Sequence, residues 1–216
     1  QQRQLLERGY VALHAMGMAK RSLLGAVIGV GVGQWSSEFE SVLMSSPAGR
    51  SVYASTGFAC SVTCGRVSFV LGLQGPCASY DTACSASLVA NHGNVRALQC
   101  VECEAALSAG VNMILALAQV LGTAIAGMTS ARGRSHTWDT RADGYSRGEA
   151  VNACTNVYSE GGDSPLGMRW LGSGSRQDGR SASLTAPSGQ AQQGVIGAAL
   201  GDGGLRPVEV SILEAH

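Results

Sequence analysis

The stretch LLGAVIGVGVG, residues 23–33, constrains the fold more than any other part of the chain. It is rich in β-branched residues, which favour strands, and in glycine, which lets other backbone come close. We therefore predict a buried strand that another backbone segment approaches closely. A dinucleotide fingerprint is disfavoured, because Gly29, Gly31 and Gln34 give G-x-G-x-x-Q and no acidic residue follows about twenty positions later.

Helical and strand patterns alternate along the rest of the chain, which predicts an α/β fold. The predicted elements are helices over 1–19, 53–73, 85–99 and 187–204, and strands after Gly75-Pro76, over 164–175 and over 206–216. In the helix over 85–99, the helical spacing of Leu88, His92, Val95 and Leu98 or Gln99 predicts that they face a sheet. Residues 132–151 concentrate charge and glycine, as in a structured loop.

Residues 105–131 contain no charged side chain and are numerous enough to raise the hypothesis of a membrane span. Asn112, Gln119 and Thr123 interrupt the apolar run, together with several glycines. A buried strand followed by a covered loop is therefore the prediction for this stretch.

The charge pattern gives no support to nucleic acid or an anionic membrane as a partner. Fifteen Lys and Arg residues balance fifteen Asp and Glu residues, and no basic cluster is longer than a pair. Seven cysteines without a regular framework favour a reducing compartment, which we expect to be the cytoplasm or a plastid. The single C-x-x-C at Cys100 and Cys103 predicts neither a zinc nor a redox site. No signal peptide is visible, and the chain is expected to begin within a longer protein.

Residues 81–87, DTACSAS, raise two hypotheses for Cys84. Free cysteine is usually a small buried packing residue. However, the predicted order of strand, sharp turn and helix brings unpaired backbone N–H groups to Cys84, and such groups favour a thiolate and can hold an oxyanion. The small neighbours Ala83, Ser85 and Ala86 leave room for a substrate. Both hypotheses stay open on these grounds.

Several segments resemble, in order, motifs of the β-ketoacyl synthases, specifically the ketosynthase domains of type I polyketide and fatty acid synthases. The segment GPCASYDTACSASLVANHGNVRAL is similar to the family's active-site segment around its acylated cysteine. The other similar segments are QQRQLLERGYVAL, CGRVSFVLGLQGP, AGMTSARGRSHTWDTRADGYSRGEAV, QDGRSASLTAPSGQAQQGVIGAAL and VEVSILEAH.

This resemblance implies a thiolase-like layered α/β/α/β/α fold, present here in truncated form. Residues 1–160 would be most of the N-terminal half without its first strand, and 161–216 the start of the C-terminal half. Cys84 would carry the acyl chain and His216 would be one of two catalytic histidines. The implied reaction is decarboxylative Claisen condensation on acyl and malonyl groups that an acyl carrier protein holds on phosphopantetheine. The domain would bind no cofactor or metal itself, and the full-length protein would be a homodimer.

The family's second histidine and its lysine would lie beyond His216, and His14, His92 and His136 do not replace them. Of these three, His92 is the best placed to face the core. We therefore expect the isolated fragment to be inactive and poorly soluble. Three alternatives stay open: a non-condensing ketosynthase-like domain, a thiolase-type acyltransferase and a non-enzymatic scaffold.

Individual residues in the matching loops lead to further predictions. The chain departs from the family pattern at Ala150, Arg176 and Ser188. Five charged residues that match it are predicted to order loops by hydrogen bonds and ion pairs rather than to act as catalysts. They are Asp81, Asp139, Asp143, Arg147 and Glu149.

Overall fold

A computed structural model describes residues 1–35, 38–159 and 168–216. It divides into two compact units, 1–158 and 159–216, each of which is described by itself. The predicted division at residue 160 falls outside the described residues. The second unit contains helix α8 (Gly189–Asp202) and a 3-10 turn at Pro207–Glu209.

The first unit alternates helices with four strands. Its strands are β1 (Ile28–Gln34), β2 (Cys77–Tyr80), β3 (Ala105–Asn112) and β4 (Ala150–Val157). Its helices are α1 (Gln2–Ala15), α2 (Lys20–Leu23), α3 (Glu38–Met44), α4 (Ala54–Phe58), α5 (Cys60–Leu71), α6 (Ala86–Gln99) and α7 (Leu117–Ile125). The strands form one sheet in the order β2-β1-β3-β4, in which β1 is parallel to β2 and β3, and β4 is antiparallel to β3. The predicted α/β class is confirmed.

Strand β1 is buried along its whole length, and its two faces differ in kind. Ile28, Val30 and Val32 belong to the main apolar core, which also includes residues of α1 and α5. The alternate residues are glycines, and helix α6 packs directly against them. A Cβ atom at Gly31 would lie 2.8 Å from the Asn94 side-chain nitrogen, and one at Gly33 would overlap the backbone of α6. The close backbone approach expected from the sequence is therefore confirmed.

The predicted sheet-facing side of α6 is confirmed at Leu98, which is buried, but is wrong for the other residues. Leu88 is exposed, and His92 and Val95 are only half-buried. The buried residues are mostly small or amide-bearing: Ala86, Ala90, Asn91, Asn94, Ala97 and Leu98. Small side chains are needed here because the helix lies against glycines, and the Asn94 amide donates hydrogen bonds to Leu107 O (2.9 Å) and Ser108 Oγ (2.8 Å).

The uncharged stretch after β3 also differs from expectation. The strand is buried as predicted, but a helix, α7, stands where a covered loop was expected. Leu117, Leu121 and Ile125 of α7 are exposed. Within the described ranges no helix is both long and apolar enough to cross a membrane.

Two strand predictions near the C-terminal end also fail. Residues 168–175 have no regular structure, and 164–167 of the same prediction lie outside the described residues. Residues 210–216 are irregular too. A β-strand needs a hydrogen-bonded neighbour, and the sheet formed by the described residues contains only β1 to β4. The helix predicted over 187–204 is confirmed as α8, and Ser188 accepts a hydrogen bond from Ala191 N at its N-terminus.

Candidate active site

Cys84 lies on a tight turn between strand β2 and helix α6. The strand ends at Tyr80, a 3-10 turn covers Ala83–Ser85, and the helix begins at Ala86. Ala83 has a φ angle of 54°, a left-handed conformation that is uncommon for a residue with a side chain. The predicted order of strand, sharp turn and helix is confirmed.

Polar side chains of the turn hold this backbone in place. The Asp81 carboxylate accepts a hydrogen bond from Ala83 N at 3.3 Å. The Thr82 and Ser85 hydroxyls are 2.8 Å apart, and Ser85 Oγ also donates to Thr82 O at 3.0 Å. These hydrogen bonds stabilise the left-handed backbone conformation of Ala83, which is otherwise unfavourable for a residue with a side chain.

The thiol of Cys84 is accessible within the first unit, because the residue is exposed. A buried packing role is therefore wrong for that unit. Ser85, at the N-cap of α6, makes no side-chain capping hydrogen bond. Within the turn, Ser85 N donates to Thr82 O at 3.3 Å, and a backbone N–H at the start of α6 donates to Ala83 O.

Cys100 lies at the opposite end of the same helix, at its C-cap, and is also exposed. Cys103 is buried, so the two cysteines of the C-x-x-C pattern lie in different environments. Across the described ranges, no group of three or more His, Cys, Asp or Glu is arranged to hold a metal. Cys100 is a natural internal control for Cys84.

The histidines lie on different elements of the structure. His14 lies in α1 against Tyr10, with ring centroids 6.1 Å apart, and His136 lies in the loop before β4. His92 is half-buried in α6. His216 ends the irregular segment of the second unit. The pairing of Cys84 with His216 stays a prediction.

The charged loop before β4 is ordered by the acidic residues singled out in the sequence. Asp139 pairs with Arg141, with 2.7 Å between carboxylate oxygen and guanidinium nitrogen. Asp143 accepts a hydrogen bond from the Ser130 hydroxyl, and Glu149 accepts one from Ile114 N at 2.8 Å. Their predicted loop-ordering contacts are therefore present.

Arg147 makes the kind of ion pair that the sequence predicted, but its partner, the buried Glu38, was not predicted. The Arg147 Nη2 and Glu38 Oε1 atoms are 3.2 Å apart, and the side chains are 9% and 3% exposed. Glu38 Oε2 also accepts hydrogen bonds from Leu115 N (2.6 Å) and Ala116 N (2.7 Å). The guanidinium carbon of Arg147 lies 5.2 Å from the centroid of the Trp35 ring. One carboxylate thus fixes the chain between β3 and α7.

We expect Glu38→Gln to lower the free energy of unfolding by about 2 kcal/mol, because the amide weakens charge-assisted hydrogen bonds and leaves Arg147 without its counter-charge. Chemical denaturation of the full-length protein measures the change. Asp139→Asn is the matched control, since the Asp139–Arg141 pair is largely exposed and should leave stability unchanged. Equal effects of the two substitutions would contradict the role given to Glu38.

Comparison with protein families covers nearly the whole chain. Residues 1–155 match the family described as "Beta-ketoacyl synthase, N-terminal domain", and residues 169–216 match its C-terminal domain. The chain belongs to the β-ketoacyl synthase family. The resemblance seen in the sequence motifs is confirmed.

The similar proteins are polyketide synthases. The chain is 39% identical over 221 residues to a phenolphthiocerol/phthiocerol polyketide synthase from Mycobacterium tuberculosis, covering all of this chain and 14% of that protein. It is 38% identical over 225 residues to a hybrid PKS-NRPS synthetase of Penicillium citrinum, covering all of this chain and 6% of that protein. The chain thus spans a small part of these relatives.

Solved ketosynthases have the same fold. The ketosynthase from module 6 of the Bacillus subtilis bacillaene synthase superposes with a TM-score of 0.84 at 28% identity, covering 98% of this chain and 36% of that one. The oxazolomycin ketosynthase domain of Streptomyces albus gives a TM-score of 0.84 at 28% identity and 38% coverage of its length. The chain is therefore part of a thiolase-like ketosynthase domain of the polyketide synthase type.

Proposed function

We propose that this chain carries the nucleophile of a condensing ketosynthase in polyketide biosynthesis. The observation that carries the proposal is the exposed Cys84 on an ordered, left-handed turn at the start of α6. A scaffold has no need of an accessible thiol on a turn of this kind. The polyketide relatives favour this pathway over fatty acid synthesis.

In the first half-reaction, the Cys84 sulfur attacks the carbonyl carbon of an acyl thioester on the phosphopantetheine arm of an acyl carrier protein. The carbonyl oxygen becomes an oxyanion, which backbone N–H groups at the start of α6 can stabilise. The bond to the pantetheine sulfur then breaks, and the departing thiolate takes up the proton that Cys84 released, so that it leaves as a thiol. The acyl group is now a thioester of Cys84.

In the second half-reaction, a malonyl thioester loses carbon dioxide and forms an enolate. The enolate carbon attacks the Cys84 thioester carbonyl, and the Cys84 thiolate leaves as the new carbon–carbon bond forms. His216, together with a second histidine outside this chain, would donate hydrogen bonds to the malonyl thioester oxygen as its negative charge grows. The phosphopantetheine belongs to the carrier protein, and this domain supplies only side chains and backbone donors.

The proposal extends to partners and location. The partner is an acyl carrier protein loaded with acyl and malonyl groups, and the working assembly is a homodimer of the full-length protein. Strand β2 is an edge of the sheet within the described part of the first unit, and an edge strand can pair with a second copy. The protein would act in a reducing compartment, the cytoplasm or a plastid.

Acyl loading tests the proposal directly. The full-length protein is incubated with an acyl-pantetheine thioester, digested with trypsin and analysed by mass spectrometry. We expect the acyl group on Cys84 at least about tenfold faster than on Cys100. If Cys84 is acylated no faster than Cys100, the nucleophile proposal fails and the scaffold alternative is favoured.

His216→Ala should separate the two half-reactions. The rate of acyl loading of Cys84 is expected to stay within a few-fold of the wild-type rate, because this step does not involve the malonyl thioester oxygen. Release of carbon dioxide from malonyl carrier protein should fall by about 10²-fold, since one donor to the developing charge is lost. His14→Ala, a change at an exposed helix position, is the control and should alter neither step. Unchanged carbon dioxide release in His216→Ala would remove His216 from the mechanism.

A further inference from the structure

Cys64 of α5 and Cys77 of β2 face each other across the contact between helix and strand. The Ser68 hydroxyl, one helical turn after Cys64, donates a hydrogen bond to Cys77 Sγ at 3.4 Å. Cys64 N donates to the Ser79 hydroxyl oxygen, two residues after Cys77, at 3.3 Å. Residues four apart share a helix face and residues two apart share a strand face, so both cysteines lie on the facing surfaces. The pKa of each thiol is shifted most by its contact with the other.

The surroundings of the two sulfurs make them chemically unequal. The hydrogen bond from Cys77 lowers the pKa of the Cys64 thiol, and the Ser79 hydroxyl and backbone N–H of Gly65 act in the same direction. The same contact raises the pKa of Cys77. Within the first unit, Cys64 is buried and Cys77 is exposed. Such a pairing of one thiolate with one thiol suits disulfide formation.

We propose that Cys64 and Cys77 form an oxidisable dithiol, which a peroxide converts into a disulfide that ties α5 to β2. The Cys64 thiolate attacks one peroxide oxygen, the O–O bond breaks, and the departing hydroxide takes up the proton that Cys64 released. Cys64 is then a sulfenic acid. The Cys77 sulfur attacks the Cys64 sulfur, the S–O bond breaks, and the hydroxyl leaves as water with the Cys77 proton. The two sulfurs lose two electrons in all, and the peroxide is reduced to two waters.

The disulfide would brace the strand that leads into the Cys84 turn. It closes the segment from Cys64 to Cys77, which includes the end of α5 and Gly75-Pro76, while Cys84 stays outside the closed loop. Neither Cys64 nor Cys77 takes part in the acylation chemistry, so this inference stands apart from the proposed function.

Peptide mapping after oxidation tests the pair. The full-length protein is treated with hydrogen peroxide in small molar excess, its remaining thiols are alkylated, and it is digested with trypsin without reduction. Cleavage at Arg66 separates the partners, because peptide 51–66 carries Cys60 and Cys64 and peptide 67–96 carries Cys77 and Cys84. We expect one cross-linked peptide pair, which fragmentation assigns to Cys64 and Cys77 and which dithiothreitol separates.

Serine variants provide the matched comparison. Cys64→Ser and Cys77→Ser should each lower the amount of that cross-linked pair at least about tenfold, whereas Cys60→Ser and Cys100→Ser should leave it unchanged. Acyl loading of Cys84, measured on the same samples, reports whether each variant is folded. If Cys64→Ser or Cys77→Ser fails to fold, the cross-linked peptides of the wild-type protein alone show whether Cys64 and Cys77 form the disulfide.

Three results would overturn the inference. One is a wild-type map in which peroxide oxidises Cys84 or Cys100 while Cys64 and Cys77 stay reduced. Another is a cross-link from Cys77 to Cys60, and the third is a cross-linked pair that survives Cys64→Ser. A failure of acyl loading alone would affect the proposed function and not the dithiol.

Discussion

Cys84→Ala is expected to lower the rate of β-ketoacyl product formation by the full-length protein by about 10³-fold or more. In the proposed mechanism the Cys84 sulfur would hold the acyl chain, so its removal would leave neither half-reaction a covalent intermediate to pass through. Two measurements check it: the mass of the acyl-enzyme, which should show no adduct on peptide 67–96, and the rate at which product appears.

Cys100→Ala is the matched control, because Cys100 is an exposed cysteine at the other end of the same helix. Because Cys100 lies at the C-terminal end of the helix, it has no N-terminal backbone donors beside it. Product formation by Cys100→Ala should therefore be unchanged. Full activity in Cys84→Ala would show that Cys84 is not the nucleophile. If the wild-type protein itself acquires the acyl group but forms no condensation product, the non-condensing alternative is favoured instead.

The turn that presents Cys84 was predictable because its determinants are local. Gly75-Pro76 starts β2, the small residues around Cys84 allow a tight turn, and Ala86–Gln99 continues as a helix. Strand β1 was predictable for the same reason, since β-branched residues and glycine are signals within one segment. Local signals thus located the candidate nucleophile and the strand behind it.

Features that depend on distant partners were not predictable. The face of α6 was only partly predicted, because helical periodicity selects large apolar residues such as Leu88, whereas the glycine face of β1 accepts only small ones. Strand β4 was missed because much of its surface is exposed and its pairing with β3 is long-range. Glu38 and Arg147 are separated by 109 residues in the sequence, and no short sequence pattern predicts their ion pair.

Gly33→Ala is expected to lower the free energy of unfolding by at least about 4 kcal/mol, which is a large share of the stability of a typical domain. A Cβ atom at this position would overlap the backbone of Ser87 and Ala86. Gly33 lies in the buried central strand, so neither backbone can retreat without opening the sheet or lifting the start of α6. Thermal unfolding of the full-length protein measures the loss, and acyl loading of Cys84 should fall with it.

Gly65→Ala is the control that separates steric overlap from the general effect of replacing glycine. Gly65 lies inside α5, and a Cβ atom there would have no heavy atom within 4 Å. Alanine in a helix loses less conformational entropy on folding than glycine, so this variant should be stabilised by about 0.5–1 kcal/mol. Opposite signs for the two variants are therefore expected. Equal stability of Gly33→Ala and the wild-type protein would show that α6 does not rest on β1 as described, and the placement of Cys84 would lose its structural basis.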